Sequence, residues 1–198
     1  MNFLAHLYLA DLHQDSLMGQ ILGDFVKGKA ICAYEPEICR AIRFHRKIDR
    51  FADSHRVTRT SRRRMSARRR HYAGIMVDLC YDHFLACHWR QYSQEPLPLF
   101  CRRVYGRLAA YPHPLPPEAK RVIARMIQHD WLRSYRKIDN IALALDRIAD
   151  RLSHGERFLG GIVDIQSNYR ELEQDFRFFF PELIDYTHEY VGSLPAPA

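Results

Sequence analysis

Residues 42–55, Ile42-Arg43-Phe44-His45-Arg46-Lys47-Ile48-Asp49-Arg50-Phe51-Ala52-Asp53-Ser54-His55, decide how this chain is read. His45, Asp49 and Asp53 follow one another at spacings of four, and residues four apart on an α-helix lie one above another on the same face. One imidazole and two carboxylates then share one small volume, which is the geometry of a metal site. Ile42, Phe44, Ile48 and Phe51 supply apolar anchors around the same turns, so the helix is partly sunk into a core. Carboxylates held there need a neutralising partner, and a divalent cation serves the whole set.

On either side the pattern stays helical. Asn2 caps a first helix through Asp11, with Phe3, Leu4, Leu7 and Tyr8 on its apolar side. His6 shares that neighbourhood, and a lone histidine on an apolar helix face is more often a hydrogen-bonded core residue than a ligand. Ser16 caps a second helix, Leu17 to Lys27, which Gly28 ends; Asp24 falls on its buried side and wants a metal or an arginine. Pro36 opens the helix that carries the organising stretch. Tyr72 to Trp89 is apolar on most faces yet contains Asp78 and Asp82, four apart, followed by His83. Two acids in an oily helix are costly unless neutralised, so this helix is expected to face the His45/Asp49/Asp53 helix across a shared ion, as bundle metal sites are built. The competing account is buried salt bridges from Asp78 or Asp82 to Arg46 or Arg50.

Beyond Trp89, helices are expected from Leu99 to Ala110, from Pro116 or Pro117 toward Tyr135, from Ile141 to Leu152 behind an Asn140 cap, and from Phe158 to Phe180 with an interruption at Pro181. Period-2 strands are not evident. The expectation is an all-α, single-domain helical bundle: a catalytic domain over residues 1–192 and a short Pro/Ala tail over 193–198. At 198 residues and 47% apolar, the chain can bury a sizeable core. No run approaches the roughly 18 apolar residues of a membrane span. The five cysteines form no CxxC pair and no apolar leader precedes Asn2, so the reading is a soluble, cytoplasmic protein with reduced thiols. Cys80 and Cys87, seven apart, are read as packing rather than as zinc ligands.

The charge is uneven. Lys and Arg total 30 against 23 Asp and Glu, a net charge of +7. Arg59, Arg62, Arg63, Arg64, Arg68, Arg69 and Arg70 account for the whole excess, with no acid among them. This segment is expected to be an exposed helix or mobile arm that binds an acidic partner.

Oxygen-rich ligands with one or two imidazoles suit Mn, Mg or Fe better than structural Zn, and such an ion can activate water and hold phosphate oxygens. No G-x-S-x-G elbow and no P-loop are present. His129-Asp130 spells the dipeptide of the HD hydrolases but has no second cluster near it, and is treated as coincidence.

Several stretches resemble the acyl carrier protein phosphodiesterase family: Met1-Asn-Phe-Leu-Ala-His-Leu7, Gly23-Asp-Phe-Val-Lys-Gly28, His45-Arg-Lys-Ile-Asp49-Arg-Phe51 with Asp53-Ser-His55, and Asp78-Leu-Cys-Tyr-Asp-His-Phe-Leu85 with His88-Trp89. Asp130-Trp-Leu132 and the run from Phe176 to Pro181 extend the likeness over nearly the whole chain. The resemblance implies a hydrolase that cuts the phosphodiester between the carrier protein's serine and 4′-phosphopantetheine. It also implies a helical fold distantly related to HD hydrolases and a need for a divalent ion, usually manganese. Tyr8 stands where the family often has a second histidine, Gln20 replaces an expected Asn, and Ala52 and Arg56 replace common Thr and Pro.

On that reading Asp24, His45, Asp49 and Asp78 hold the metal, with Asp53 and Asp82 as further ligands or orienters. Lys27 or Arg46 would steady phosphate charge, and His83 or His55 would protonate the departing serine oxygen. The acidic carrier protein would take the arginine segment. Two other accounts use the same residues: an HD-type phosphohydrolase acting on nucleotides, and a non-enzymatic nucleic-acid-binding protein built on Arg59–Arg70, which lacks any base-reading motif.

Overall fold

The computed structural model describes residues 1–151 and 155–193. Eleven α-helices and short 3₁₀ turns, with no strand among the described residues, form the bundle. Helices α1 (Phe3–Leu12), α2 (Leu17–Leu22) and α3 (Pro36–Ser54) come first, followed by α4 (Arg56–Arg63) and α5 (Ala73–Cys87). Next come α6 (Leu97–Ala109), α7 (Pro117–Gln128), α8 (Trp131–Ser134) and α9 (Ile138–Ala149), then α10 (Ile162–Ser167) and α11 (Tyr169–Gly192).

Helix α5 is the axis. Met76, Val77, Leu79 to Leu85 and Ala86 are buried on all sides of it, as its lack of a polar face requires. Tyr81 and Phe84 meet Phe176 and Phe179 of α11 at ring separations of 5.4 to 5.9 Å, within the range where aromatic pairs add to simple burial. That apolar face explains why α11 runs straight through Pro181, where an interruption was expected. Pro181 is exposed, so the Arg177 carbonyl that loses its donor there faces water.

The second helix stops at Leu22, five residues before the expected Lys27, and Gly23 to Phe25 turn away from it. Helix α7 ends at Gln128 because Asp130 adopts a left-handed φ of 47°, which asparagine and aspartate tolerate best among non-glycine residues. Helix α9 starts at Ile138, so Asn140 lies inside its first turn rather than at its cap. Leu152 and residues 194–198, hence the expected end of that helix and nearly all of the Pro/Ala tail, lie outside the described residues.

The arginine segment is packed onto the bundle: α4 carries it to Arg63, and a 3₁₀ turn over Ala67–Tyr72 carries Arg68, Arg69 and Arg70. Thr58, Ser61 and Met65 are buried, and Ser61 Oγ bonds the Tyr81 hydroxyl at 2.8 Å and Asp175 of α11 at 2.7 Å.

Asp82 closes the N-terminus of α1. Its two oxygens accept from the backbone N–H groups of Leu4 at 2.7 Å and Ala5 at 3.0 Å. Burial pushes the carboxyl up to about 7 against these two bonds. Replacing Asp82 with alanine orphans both donors, and the expected loss is about 1–3 kcal/mol of unfolding free energy. Urea denaturation that leaves stability unchanged would contradict this role.

Candidate metal centre

Close approach of α2 and α3 builds the site. Gly19 sits on Ala41 and Gly23 on His45: an added Cβ would lie 2.3 Å from Ala41 Cβ and 2.2 Å from His45 Cγ. The helices can only meet this closely where one side chain of each contacting pair is hydrogen. His45 is thereby pressed against the Gly23 backbone with its Nε2 turned toward Asp49 Oδ2 at 3.0 Å, one helical turn further along α3. From α1, the buried His6 ring stacks on His45 at 3.9 Å and aims its own Nε2 at Asp49 Oδ1, 3.1 Å away. His6, His45 and Asp49 thus offer ligand atoms within 4.8 Å of one another.

Hydrogen bonds assign the His6 tautomer. Gln20 Nε2 donates to the Ala41 carbonyl at 3.3 Å, so Gln20 Oε1 is the atom facing His6 Nδ1 at 3.2 Å and accepts from it. Burial, aided by the neighbouring His45 cation, drives His6 down to about 4. The ring is neutral, and its Nε2 lone pair confronts a carboxylate oxygen. Two acceptors at that distance call for a positive charge beside them, so the donor set fits a divalent ion.

In this arrangement the His45 ring and the Met1 ammonium supply that charge, at the places a divalent ion would take. Burial would lower His45, but Asp24 and Asp49 hold it up to about 9. Burial would raise Asp49, but the hydrogen bond from His45, with the Met1 ammonium beside it, holds it well below the usual carboxylate range. Asp24, in the turn after α2, is 48% exposed with Oδ1 3.5 Å from His45 Nε2. The Met1 α-amino group lies 3.1 Å from Asp49 Oδ1 and 3.4 Å from Asp78 Oδ1, bringing these two acids to one cation. Burial raises the Asp78 pKa, while that ammonium and Arg62 lower it.

Other expected members stand elsewhere. Asp53, on the same stripe of α3, is exposed and paired with Arg62. Asp82 caps α1 and does not join the ligands. His83 is spanned by the Tyr135 carbonyl at 2.7 Å and the Tyr169 hydroxyl at 2.8 Å. His55 accepts from the Val57 N–H at the start of α4 and bonds Glu182 of α11 at 2.9 Å. Neither histidine reaches the centre in this arrangement. His129 and Asp130 lie at the α7–α8 junction, where Asp130 pairs with Arg133 at 3.5 Å.

The family model described as "Acyl carrier protein phosphodiesterase" matches residues 1–183. The chain belongs to that family. Its relatives include proteins named acyl carrier protein phosphodiesterase from Serratia proteamaculans (strain 568), 32% identical, and from Salmonella agona (strain SL483) and Enterobacter sp. (strain 638), each 34% identical. Each alignment spans 185 residues, 93% of this chain and 96% of the relative. No solved structure matches.

In this member of the acyl carrier protein phosphodiesterase family, the departures at Tyr8 and Gln20 leave the donor set intact. Tyr8 donates to the Tyr92 carbonyl at 3.0 Å, away from the ligands, and Gln20 orients His6. Cations and acids line two cavities against the centre. One, of about 520 Å³, is bounded by Arg46, Arg50 and Arg59 with Asp49 and Asp53; the other, of about 610 Å³, by Arg62, Arg63 and Arg70 with Asp53 and Asp78. Arg46 donates to the Val26 carbonyl at 2.7 Å, and Lys27 is exposed on the turn three residues beyond Asp24.

Much of the arginine segment is committed to the fold. Arg64 holds Asp175 at 2.9 Å and Arg69 holds Asp164 at 3.1 Å. Arg59 bonds the Ser54 carbonyl at 2.5 Å and Arg68 the Glu156 carbonyl at 3.0 Å. Arg63 and Arg70 are exposed and make no such bond among the described residues. The residue underweighted by sequence reasoning is His6. A single imidazole in a helix buried from Leu4 to Ala10 was the available signal, since such a helix offers it no polar face.

Proposed function

We propose that this chain hydrolyses the phosphodiester joining 4′-phosphopantetheine to a serine of an acyl carrier protein, using a divalent cation held by His6, His45 and Asp49. The observation that carries the proposal is the convergence of two imidazole nitrogens on the two oxygens of Asp49, at 3.1 and 3.0 Å, in a chain of this family. Manganese is the ion proposed, with magnesium or iron next, because the donors are nitrogen and oxygen without thiolate. An ion held there polarises a phosphoryl oxygen and lowers the pKa of water.

The chain's own groups do the rest. Asp24, at the exposed rim, takes the proton from the attacking water. Arg46 and Arg50, along the cavity beside Asp49, face the anionic phosphate oxygens, with Lys27 a further cation near Asp24. The water oxygen bonds to phosphorus as the phosphorus–serine oxygen bond breaks. A proton then goes to the serine oxygen, leaving apo carrier protein and free 4′-phosphopantetheine. Asp78 sits across the Met1 amino group, where it shapes the field around Asp49. A distant HD-hydrolase kinship and a cytoplasmic setting belong to the same proposal, the latter because all five thiols are free.

Mass spectrometry of a holo carrier protein incubated with this protein and Mn²⁺, with and without a chelator, tests it. Loss of the prosthetic-group mass only while metal is free is the expected result. An intact holo protein, or equal loss with chelator, overturns the reading.

An acidic carrier protein would meet the unpaired arginines. The Arg63→Glu, Arg70→Glu double variant is expected to raise KM for the carrier protein about tenfold and to leave a small phosphodiester unaffected, because surface charge acts mainly on encounter. An unchanged KM would move the docking face elsewhere.

A further inference from the structure

We infer that the cleft between the start of α1, helix α8 and helix α9 binds the pantetheine arm of the carrier protein, a linear chain of methylenes and two amides. The inference rests on the function proposed above and extends it to a specific site. The cleft holds about 720 Å³, within the roughly 300–1,000 Å³ of small-molecule sites.

Its position is the first argument. The Met1 amino group touches Asp49 and Asp78, and the next two residues, Asn2 and Phe3, form one wall of the cleft. On α5, Asp78 faces that amino group while its neighbour Leu79 lines the cleft. The segment Met1–Phe3 and the Asp78–Leu79 step therefore join the ligand cluster to the cleft.

The lining chemistry is the second argument. Phe3, Leu79, Ala144 and Ile148 give apolar walls, and Leu143 is 52% exposed at the edge. Trp131 lines this surface, and its buried Nε1–H has no hydrogen-bond partner. A buried donor left unpaired costs about 1–3 kcal/mol, so a turn of the ring that lets this donor meet a ligand carbonyl in the cleft is favoured. Asn140 donates its Nδ2 to the Ser134 carbonyl at 2.9 Å and so keeps its Oδ1 as an acceptor for a ligand N–H. Arg125, Arg147 and Arg151 share the lining, and its apolar walls with one unpaired donor and one free acceptor match an amide-bearing chain.

Trp131 also reports on the cleft. The chain has two tryptophans, and the other, Trp89, is buried with its N–H bonded to the Glu95 carbonyl at 2.7 Å. Pantetheine, which carries no phosphodiester, is titrated into the protein while tryptophan fluorescence is followed. A saturable change that is absent in Trp131→Phe and about tenfold weaker in affinity in Leu143→Asp supports the site. The Leu143→Asp variant should also lower kcat/KM for a holo carrier protein about tenfold while hydrolysing bis(p-nitrophenyl) phosphate as the parent does. No saturable change with pantetheine, a change given by AMP instead, or parental kcat/KM in Leu143→Asp would overturn the site and leave the hydrolase reading standing. Failure of the unmodified protein to cleave any holo carrier protein would instead overturn the hydrolase reading, with pantetheine binding still deciding the cleft.

Discussion

Replacing Asp49 with alanine is expected to lower kcat/KM for a holo carrier protein by about a thousandfold, the rate equivalent of the several kcal/mol that a metal's charge stabilisation supplies. Asp49 is the residue both imidazoles share: His6 Nε2 addresses one oxygen and His45 Nε2 the other. Removing it leaves His6, His45 and the Met1 ammonium without their common counter-charge, so bound metal should fall with activity. Asp53 is the internal control. It occupies the next position on the same helical stripe, yet it is exposed and paired with Arg62, so Asp53→Ala should retain metal and most of the rate. Metal content by mass spectrometry and release of 4′-phosphopantetheine, measured on both variants, separate the two residues. Equal losses at both positions, or none at Asp49, would refute the assignment of ligands.

Gly23→Ala should damage the centre without altering any ligand. The added Cβ would fall 2.2, 2.4 and 2.7 Å from Cγ, Cδ2 and Nδ1 of His45, distances at which the ring has to move. A displaced ligand costs what the loss of a ligand-orienting contact does, about 10–100-fold in metal affinity or activity. Gly19→Ala meets Ala41 Cβ at 2.3 Å instead, so its expected effect is overpacking of α2 against α3, about 1–3 kcal/mol of stability. A metal titration beside a denaturation curve for each variant distinguishes them. Normal metal affinity in Gly23→Ala would mean that the two helices spread without disturbing His45.

What proved legible in the chain was whatever depends on near neighbours. The spacing of four between His45 and Asp49 puts them in contact because helical geometry alone fixes that distance. The apolar run around Asp78 and Asp82 reads as a buried helix for the same reason, and Pro36 marks the start of α3 as expected. Legibility ended where partners are far apart in sequence. Asp82 has the spacing of a ligand, but its partners are two N–H groups 78 and 77 residues away. His83 and His55 likewise find Tyr169 and Glu182, both on α11. Charge density misled in a similar way: seven arginines without a nearby acid read as a free surface, yet Arg64 and Arg69 meet Asp175 and Asp164 about a hundred positions on.

By itself, then, the sequence of this protein determined an all-α chain, its family and the pairing of His45 with Asp49, since periodicity and local spacing need no knowledge of the rest of the molecule. Only the tertiary structure decided that His6 joins that pair and that Asp53, Asp82, His55 and His83 do not. The reason is that helix contacts choose among chemically equivalent side chains. Two glycines let α2 close on α3, α1 packs beside them and brings one more imidazole within 3.9 Å of His45, and Asp82, His55 and His83 are satisfied by the elements that lie opposite them.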